Sequence, residues 1–197
     1  MSGYIAKITV LALLLCNASC APEKTLTSIM IHGDSFKIER LVVLPFSNKS
    51  KEKQLDIVAT RICENVCKRR GYQLSNVADL RIFLQRKQLF ISQLTEQSTA
   101  EVFKEISKEL RINAMIKGKI LALNYIKVQG EALPEITLQL DLLNAQDGTT
   151  IVRSFVDSSG EDYRTVLRFG VVRTPTQLLE IMINNTVENW QHKGVIL

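Results

Sequence analysis

The sequence predicts an α/β fold: a single domain built on one mixed β-sheet, parallel in its β-α-β start, antiparallel in a three-strand meander, and flanked by helices. Three observations carry that reading. IERLVVLPF at 38–46 is a nearly continuous β-branched and apolar run, the pattern of a strand covered on both faces. It is followed by a helical-period segment and then by the short strand-like YQLS, an order that suggests a parallel crossover. Three strand-like stretches then succeed one another between 113 and 157, the last two joined by Asp147-Gly148, the strongest hairpin signal in the chain.

Each element has a local cause. Residues 21–37 are polar, carry a Gly33-Asp34 turn signal and read as a tether, although SIMI at 28–31 also fits a short extra strand. The strand at 38–46 is closed by Pro45, and SNKSKEK then turns into a helix with Asn48 or Ser50 as the candidate N-cap. Leu55, Ala59, Ile62 and Val66 recur at helical spacing along it, and Gly71 supplies the stop. Residues 77–87 place Leu80, Phe83 and Leu84 on one helical face. STAE at 98–101 is a capping box that opens a helix running through Leu110, with Val102, Ile106 and Leu110 inward.

The first meander strand occupies 113–128. In the second, Ile136, Leu138, Leu140 and Leu142 alternate with Thr137, Gln139 and Asp141, one set facing the core and the other facing out. TTIVRSFVD at 149–157 is the third. Thr174-Pro175 starts the final helix, the proline sitting where its missing N–H costs nothing. Leu178, Leu179, Met182, Ile183, Thr186, Val187 and Trp190 form its apolar stripe.

The amino terminus has a different logic. Residues 1–7 carry one positive side chain, Lys7; 8–16 are apolar apart from Thr9; NASC then supplies small residues. This is the layout of a secretory signal peptide, and the apolar core is shorter than the roughly 20 residues that span a bilayer. Cys20 follows Ala18 and Ser19, whereas only leucines precede Cys16. The site resembles the lipobox of bacterial lipoproteins, which implies that the Cys20 thiol receives a diacylglyceryl group, that palmitate is attached, and that Cys20 becomes the mature amino terminus. The pattern departs from the lipobox at Asn17, where leucine is favoured, and plain secretion is the alternative. Ala21 after the cysteine, rather than aspartate, implies sorting to the outer membrane with the domain on its periplasmic face. The expected organisation is a signal peptide at 1–19, a lipidated terminus and tether at 20–37, an α/β domain at 38–192 and a C-terminal tail at 193–197.

Composition narrows the functional classes. An apolar fraction of 46% fits a globular chain. The chain holds 25 basic and 20 acidic residues, and the leader removes only Lys7, leaving 24 against 20 and a net charge of +4. That excess is mild for a nucleic-acid binder, which concentrates positive charge in a stripe, so no nucleic acid is expected as partner. Cys63 and Cys67 lie four apart on a predicted helix, where the β-carbons sit too far apart for an easy disulfide. They read as small buried hydrophobes. The two histidines, His32 and His192, fall in the tether and beyond the last helix, so no metal site is expected.

Chemistry is equally sparse. There is no G-x-S-x-G, G-x-G-x-x-G, Walker loop or H-E-x-x-H. Glu161-Asp162 reads as a solvated acidic pair, and the CKRR run at 67–70 as cations complementing a helix C-terminus. No enzymatic activity, cofactor or small-molecule substrate is expected. One segment is richer than a turn requires. DYRTVLRFGVVRTP at 162–175 places Tyr163, Phe169, Val171 and Val172 among Arg164, Arg168 and Arg173. It is either a further strand of the sheet or a contact surface, since aromatics among arginines are typical interface anchors. In the second case Phe169 is the apolar anchor and Arg173 the charged one, with Arg168 and Tyr163 beside them; in the other, Phe169 fills the core.

LVVLPFSN before a helix ending RRGY, then LRINAMIKGKI and DLLNAQDGTTIVRS, resembles the fold shared by the TolB amino-terminal domain, the curli secretion lipoprotein and the Pel polysaccharide export lipoprotein. The lipoprotein activator of peptidoglycan synthases is similar. The likeness covers roughly residues 40–190. It implies a non-enzymatic lipoprotein serving an envelope export or assembly machine, homo-oligomeric or bound to an envelope protein partner. The alternative it implies is a regulator of a cell-wall synthase. The chain lacks room for the extra membrane-spanning strand pairs of the curli member, and its net positive charge departs from the acidic funnel of the Pel member.

Overall fold

Leu41, Val42, Val43 and Leu44 are each at most 1% exposed, so the strand through them is sandwiched between two apolar layers rather than lying on one. A computed structural model, describing residues 25–31, 35–90, 100–165 and 169–196, shows what covers it. The elements are β1 (Thr25–Met30), β2 (Phe36–Lys37), β3 (Leu41–Val43), β4 (Ser47–Asn48), α1 (Leu55–Arg69), α2 (Val77–Arg86), α3 (Ala100–Leu110), β5 (Ala114–Val128), β6 (Glu131–Asn144), β7 (Thr150–Ser159), a 3-10 turn (Gly160–Tyr163), α4 (Pro175–His192) and β8 (Val195–Ile196). The fold is the expected mixed α/β domain. The main sheet has the order β1-β7-β6-β5-β3, with β4 also paired to β5. The contacts of β5 with β3 and β4 are parallel, and those along β5, β6, β7 and β1 are antiparallel.

Two cores lie on opposite faces of this sheet. The larger gathers Leu41, Val43, Ile116, Leu138, Leu140 and Val156 under the apolar stripes of α1 and α4. The smaller covers Val42, Leu44, Met115 and Leu143 with Leu80, Phe83 and Leu84 of α2 and Phe103, Ile106 and Leu110 of α3. All seven residues expected in the α4 stripe are buried. Thr174 caps that helix, its Oγ1 accepting from the Gln177 N–H at 3.3 Å. The stop after α1 forms at Gly71, whose φ of 87° is in the left-handed region. The Tyr72 and Gly71 amides donate to the carbonyls of Cys67 and Lys68, both at 3.0 Å, which closes the helix end. Cys63 and Cys67 are buried and unbridged on the inner face of α1.

Several expectations need correction. The α1 N-terminus is not capped by Asn48 or Ser50. Asn48 Oδ1 accepts instead from the Ser50 amide and hydroxyl, 2.8 and 2.7 Å away, and α1 begins after Gln54, which has φ 66° and no side-chain cap bond. YQLS contributes one parallel bridge, Leu41 to Leu74, rather than a strand. In α3 the inward trio is Phe103, Ile106 and Leu110, with Val102 half-buried; Ser98 lies outside the described residues. Asp141 faces away from the main core as the alternation predicts, yet it is only 3% exposed. Arg153 grips both its oxygens at 2.9 and 3.3 Å and Gln139 donates to Oδ2 at 2.9 Å. His192 is the last residue of α4, not beyond it.

The largest departures are at the chain ends. Part of the expected tether is β1, which pairs with β7 from Thr25↔Asp157 to Met30↔Val152, and so makes real the extra strand that SIMI allowed. The expected tail contributes β8, paired in parallel with β2, and Val195 is fully buried.

Candidate interaction surface

The segment after β7 is built to hold one aromatic outward. Its first turn is fixed by Asp162, whose carboxylate accepts from the Ser159 amide at 2.7 Å, the Ser159 hydroxyl at 2.8 Å and the Ser158 hydroxyl at 3.0 Å. The acidic pair is thus structural: Asp162 closes a capping box and Glu161 pairs with Arg164. Tyr163 packs its ring against the main core, and its hydroxyl lies 3.3 Å from Ser158 Oγ. Burial pushes the Tyr163 phenol above its ordinary value, the bond to Ser158 working against it.

The return limb is pinned as firmly. The Val172 amide donates to the Gly160 carbonyl at 2.9 Å, and Val171 and Val172 are buried. A Cβ on Gly160 would stand 1.9 Å from the Val172 carbonyl oxygen, so only glycine admits this approach. Between the limbs, the Phe169 carbonyl accepts from the amide and hydroxyl of Thr165 at 2.6 and 2.8 Å. Over its described residues the segment is therefore pinned on both sides and forms no further strand.

Phe169 is 70% exposed at its tip, which removes the alternative that it fills the core. Arg173 Nε stands 3.4 Å from Glu131 Oε2, with both side chains about half exposed. Tyr163 is turned inward, so of the expected group Phe169 and Arg173 are the side chains presented to solvent. Arg168 and the expected lipidation site Cys20 lie outside the described residues. Sequence reasoning missed the other half of this end of the molecule. The β5–β6 hairpin carries Glu131, the partner of Arg173, and Tyr125, which is 54% exposed. The register Glu135↔Ser159 sets the start of β6 beside the turn, a cross-strand relation with no local signal. Among the described residues no group of three or more His, Cys, Asp or Glu is placed to hold a metal, and no helix is long and apolar enough to cross a membrane.

The fold is similar to that of several solved bacterial proteins, at sequence identities that carry the fold alone. The PelC dodecamer from Paraburkholderia phytofirmans superposes with a TM-score of 0.55 at 11% identity, over 86% of this chain and 98% of that one. Lipoprotein GNA1162 from Neisseria meningitidis gives 0.50 at 10% identity, over 78% and 98%. The LpoB C-terminal domain from Escherichia coli gives 0.47 at 18% identity, over 66% and 89%. The first of these shares the fold that the sequence motifs resemble. No protein-family model and no curated protein matches the sequence.

Proposed function

We propose that the protein is a non-enzymatic lipoprotein, anchored through Cys20 to the periplasmic face of the outer membrane, and a component of an envelope export or assembly machine. It works as a homo-oligomer or with an envelope protein partner, and the Phe169 loop, with Arg173, is its contact surface. The observation that carries this reading is the 70% exposure of Phe169 on a loop whose two limbs are pinned to the domain. A large aromatic held outward beside backbone that is pinned to the domain contributes contact area at a reduced ordering cost, the property of an interface anchor. The oligomeric half of the reading is supported by the dodecameric state of one structural neighbour. An anchor at Cys20 would be tethered close to the loop's end of the sheet. Thr25 is five residues from Cys20, at most roughly 17 Å of chain, and it pairs with Asp157 just before the Gly160–Tyr163 turn.

The test is native mass spectrometry and cross-linking of the full-length chain in mild detergent, comparing wild type with Phe169→Ala and Arg173→Glu. Both variants should lose association while melting close to wild type, because Phe169 has little burial to lose. Unchanged assembly in both ends the reading, as does a loss of vesicle binding in a Cys20→Ala background with assembly intact, which would make the loop a lipid contact. A chain that stays monomeric and captures a cell-wall synthase favours the regulator instead. Cys20→Ala should move the protein from the membrane pellet to the soluble fraction, since two acyl chains hold firmly.

A further inference from the structure

A second surface lies at the opposite end of the sheet, the 14-residue length of β6 away, or about 45 Å. Between α2, the end of α3 and the bend before β3 runs a groove of about 500 Å³. Arg40, Arg86 and Arg111 stand along it, Asp79 and Glu109 share its rim, and Ile82 lies between them, 54% exposed. Arg86 is taken up by Glu109 at 3.1 Å. Arg40 and Arg111 have no ion-pair or side-chain hydrogen-bond partner among the described residues.

Both of these arginines are held in place by backbone devices. Asn113 Oδ1 accepts from the amides of Glu39 and Arg40 at 3.0 and 3.3 Å, and its Nδ2 donates to the Lys37 carbonyl at 2.7 Å, so one side chain clamps the bend that carries Arg40. Arg111 ends α3 with φ 50°. The helix closes as glycine-ended helices do, with the Ile112 amide donating back to the Ser107 carbonyl at 3.1 Å, yet the left-handed position is filled by arginine. An L-residue pays for that conformation where glycine does not. That backbone cost falls on an exposed, positively charged residue with no ion-pair partner among the described residues, which directs attention to what its side chain could hold.

We propose that this groove binds an acidic peptide segment of a partner protein, its carboxylates on Arg40 and Arg111 and an apolar side chain on Ile82. The guanidinium forks match carboxylates in geometry. Ile82, and the absence of an aromatic ring among the described residues along the groove, fit a peptide rather than a saccharide, which would draw on aromatic platforms. Asp79 fixes polarity along the groove, since it repels a carboxylate placed next to it. The two surfaces together let the protein touch one partner at its anchored end and another at the far end.

The experiment uses the full-length chain in mild detergent and a short fluorescein-labelled peptide of repeated Glu-Glu-Leu, with its Gln-Gln-Leu counterpart, read by fluorescence anisotropy. The acidic peptide should bind in the micromolar range, weaken on raising salt, and bind at least tenfold tighter than the Gln peptide. Arg111→Gly should separate two properties: the melting temperature rises by roughly 2–4 °C, while affinity for the acidic peptide falls at least tenfold. Arg40→Ala should lose a similar factor, Ile82→Ser a smaller one, and Lys193→Ala none. The proposal is overturned if the acidic peptide fails to bind at millimolar concentration, if the Gln peptide binds equally, or if Arg111→Gly binds as wild type does. Tighter binding of a polyuronate than of the peptide, abolished by the same variants, would assign the groove to a saccharide and overturn the peptide reading.

Discussion

Removing one hydroxyl should loosen β1, the strand nearest the proposed anchor at Cys20. Trp190 is 1% exposed, and its indole N–H donates to Ser154 Oγ at 2.8 Å. Ser154 is fully buried and its Oγ lies 2.7 Å from Ser28 Oγ on β1, so three side chains tie α4, β7 and β1 together. Ser154→Ala leaves the indole N–H dry and without an acceptor, a loss of about 1–3 kcal/mol. The centre of that range lowers the melting temperature of a domain this size by roughly 4–8 °C. Trp190→Phe removes the donor and some volume, so it is destabilising in its own right. The double variant removes both partners, and its loss should fall short of the sum of the single losses by about 1 kcal/mol or more. The assay is urea denaturation of the four chains, with amide exchange of β1 as a local readout. β1 amides should exchange faster in Ser154→Ala. Additivity within about 0.5 kcal/mol, or β1 protection unchanged, would refute the argument that this hydroxyl chain docks the strand.

Two further outcomes follow from buried polar groups. Arg70, with its side chain 19% exposed, donates to Asn184 Oδ1 at 3.0 Å, Gln191 Oε1 at 3.0 Å and Glu188 Oε2 at 2.9 Å, so Arg70→Ala should cost about 1.5–3 kcal/mol in chemical denaturation. Arg69→Ala, which breaks a pair with Glu180 between largely exposed side chains, should cost under about 0.5 kcal/mol, and Arg70→Lys should not restore a fork that spans three partners. The Cys63 thiol is held well above the ordinary thiol value by its hydrogen bond with Cys67 and by burial. Well below the ordinary thiol value of about 8.5 both states carry the neutral thiol; above it the unfolded chain ionises first, so stability falls as pH rises, by up to about 1.4 kcal/mol per pH unit for this group. Urea melts between pH 8 and 10.5 should show that slope and show it shallower in Cys63→Ala.

What was legible in the sequence is what near neighbours determine. Thr174 and Pro175 open α4 with atoms three residues away. Asp147 holds the β6–β7 turn through Thr149, whose amide and hydroxyl reach its carboxylate at 2.9 and 2.7 Å. The α4 stripe and the Ile136-to-Leu142 alternation emerge because helix and strand periods sort side chains by face before any partner is present. The resemblance rested on the same local runs, and so it reached the fold.

Tertiary structure decided whatever depends on a partner far along the chain. SIMI reads equally as tether or strand until β7, more than a hundred residues on, offers an edge and Ser154 meets Ser28. Asp141 occupies an outward position by alternation, and only the register that sets Arg153 opposite makes it the buried end of an ion pair with a part-exposed arginine. Val195 becomes core because α4 delivers it beside Phe36. Phe169 is the sharpest instance: an aromatic in a run with valines carries the same sequence signal whether it is buried or displayed. The Gly160 approach, the Thr165 bonds and the burial of Val171 and Val172 spend the inward positions on its neighbours and leave its ring in solvent. Hydrophobicity states how strongly a side chain seeks cover, and only packing determines whether the domain supplies that cover or leaves it for a partner.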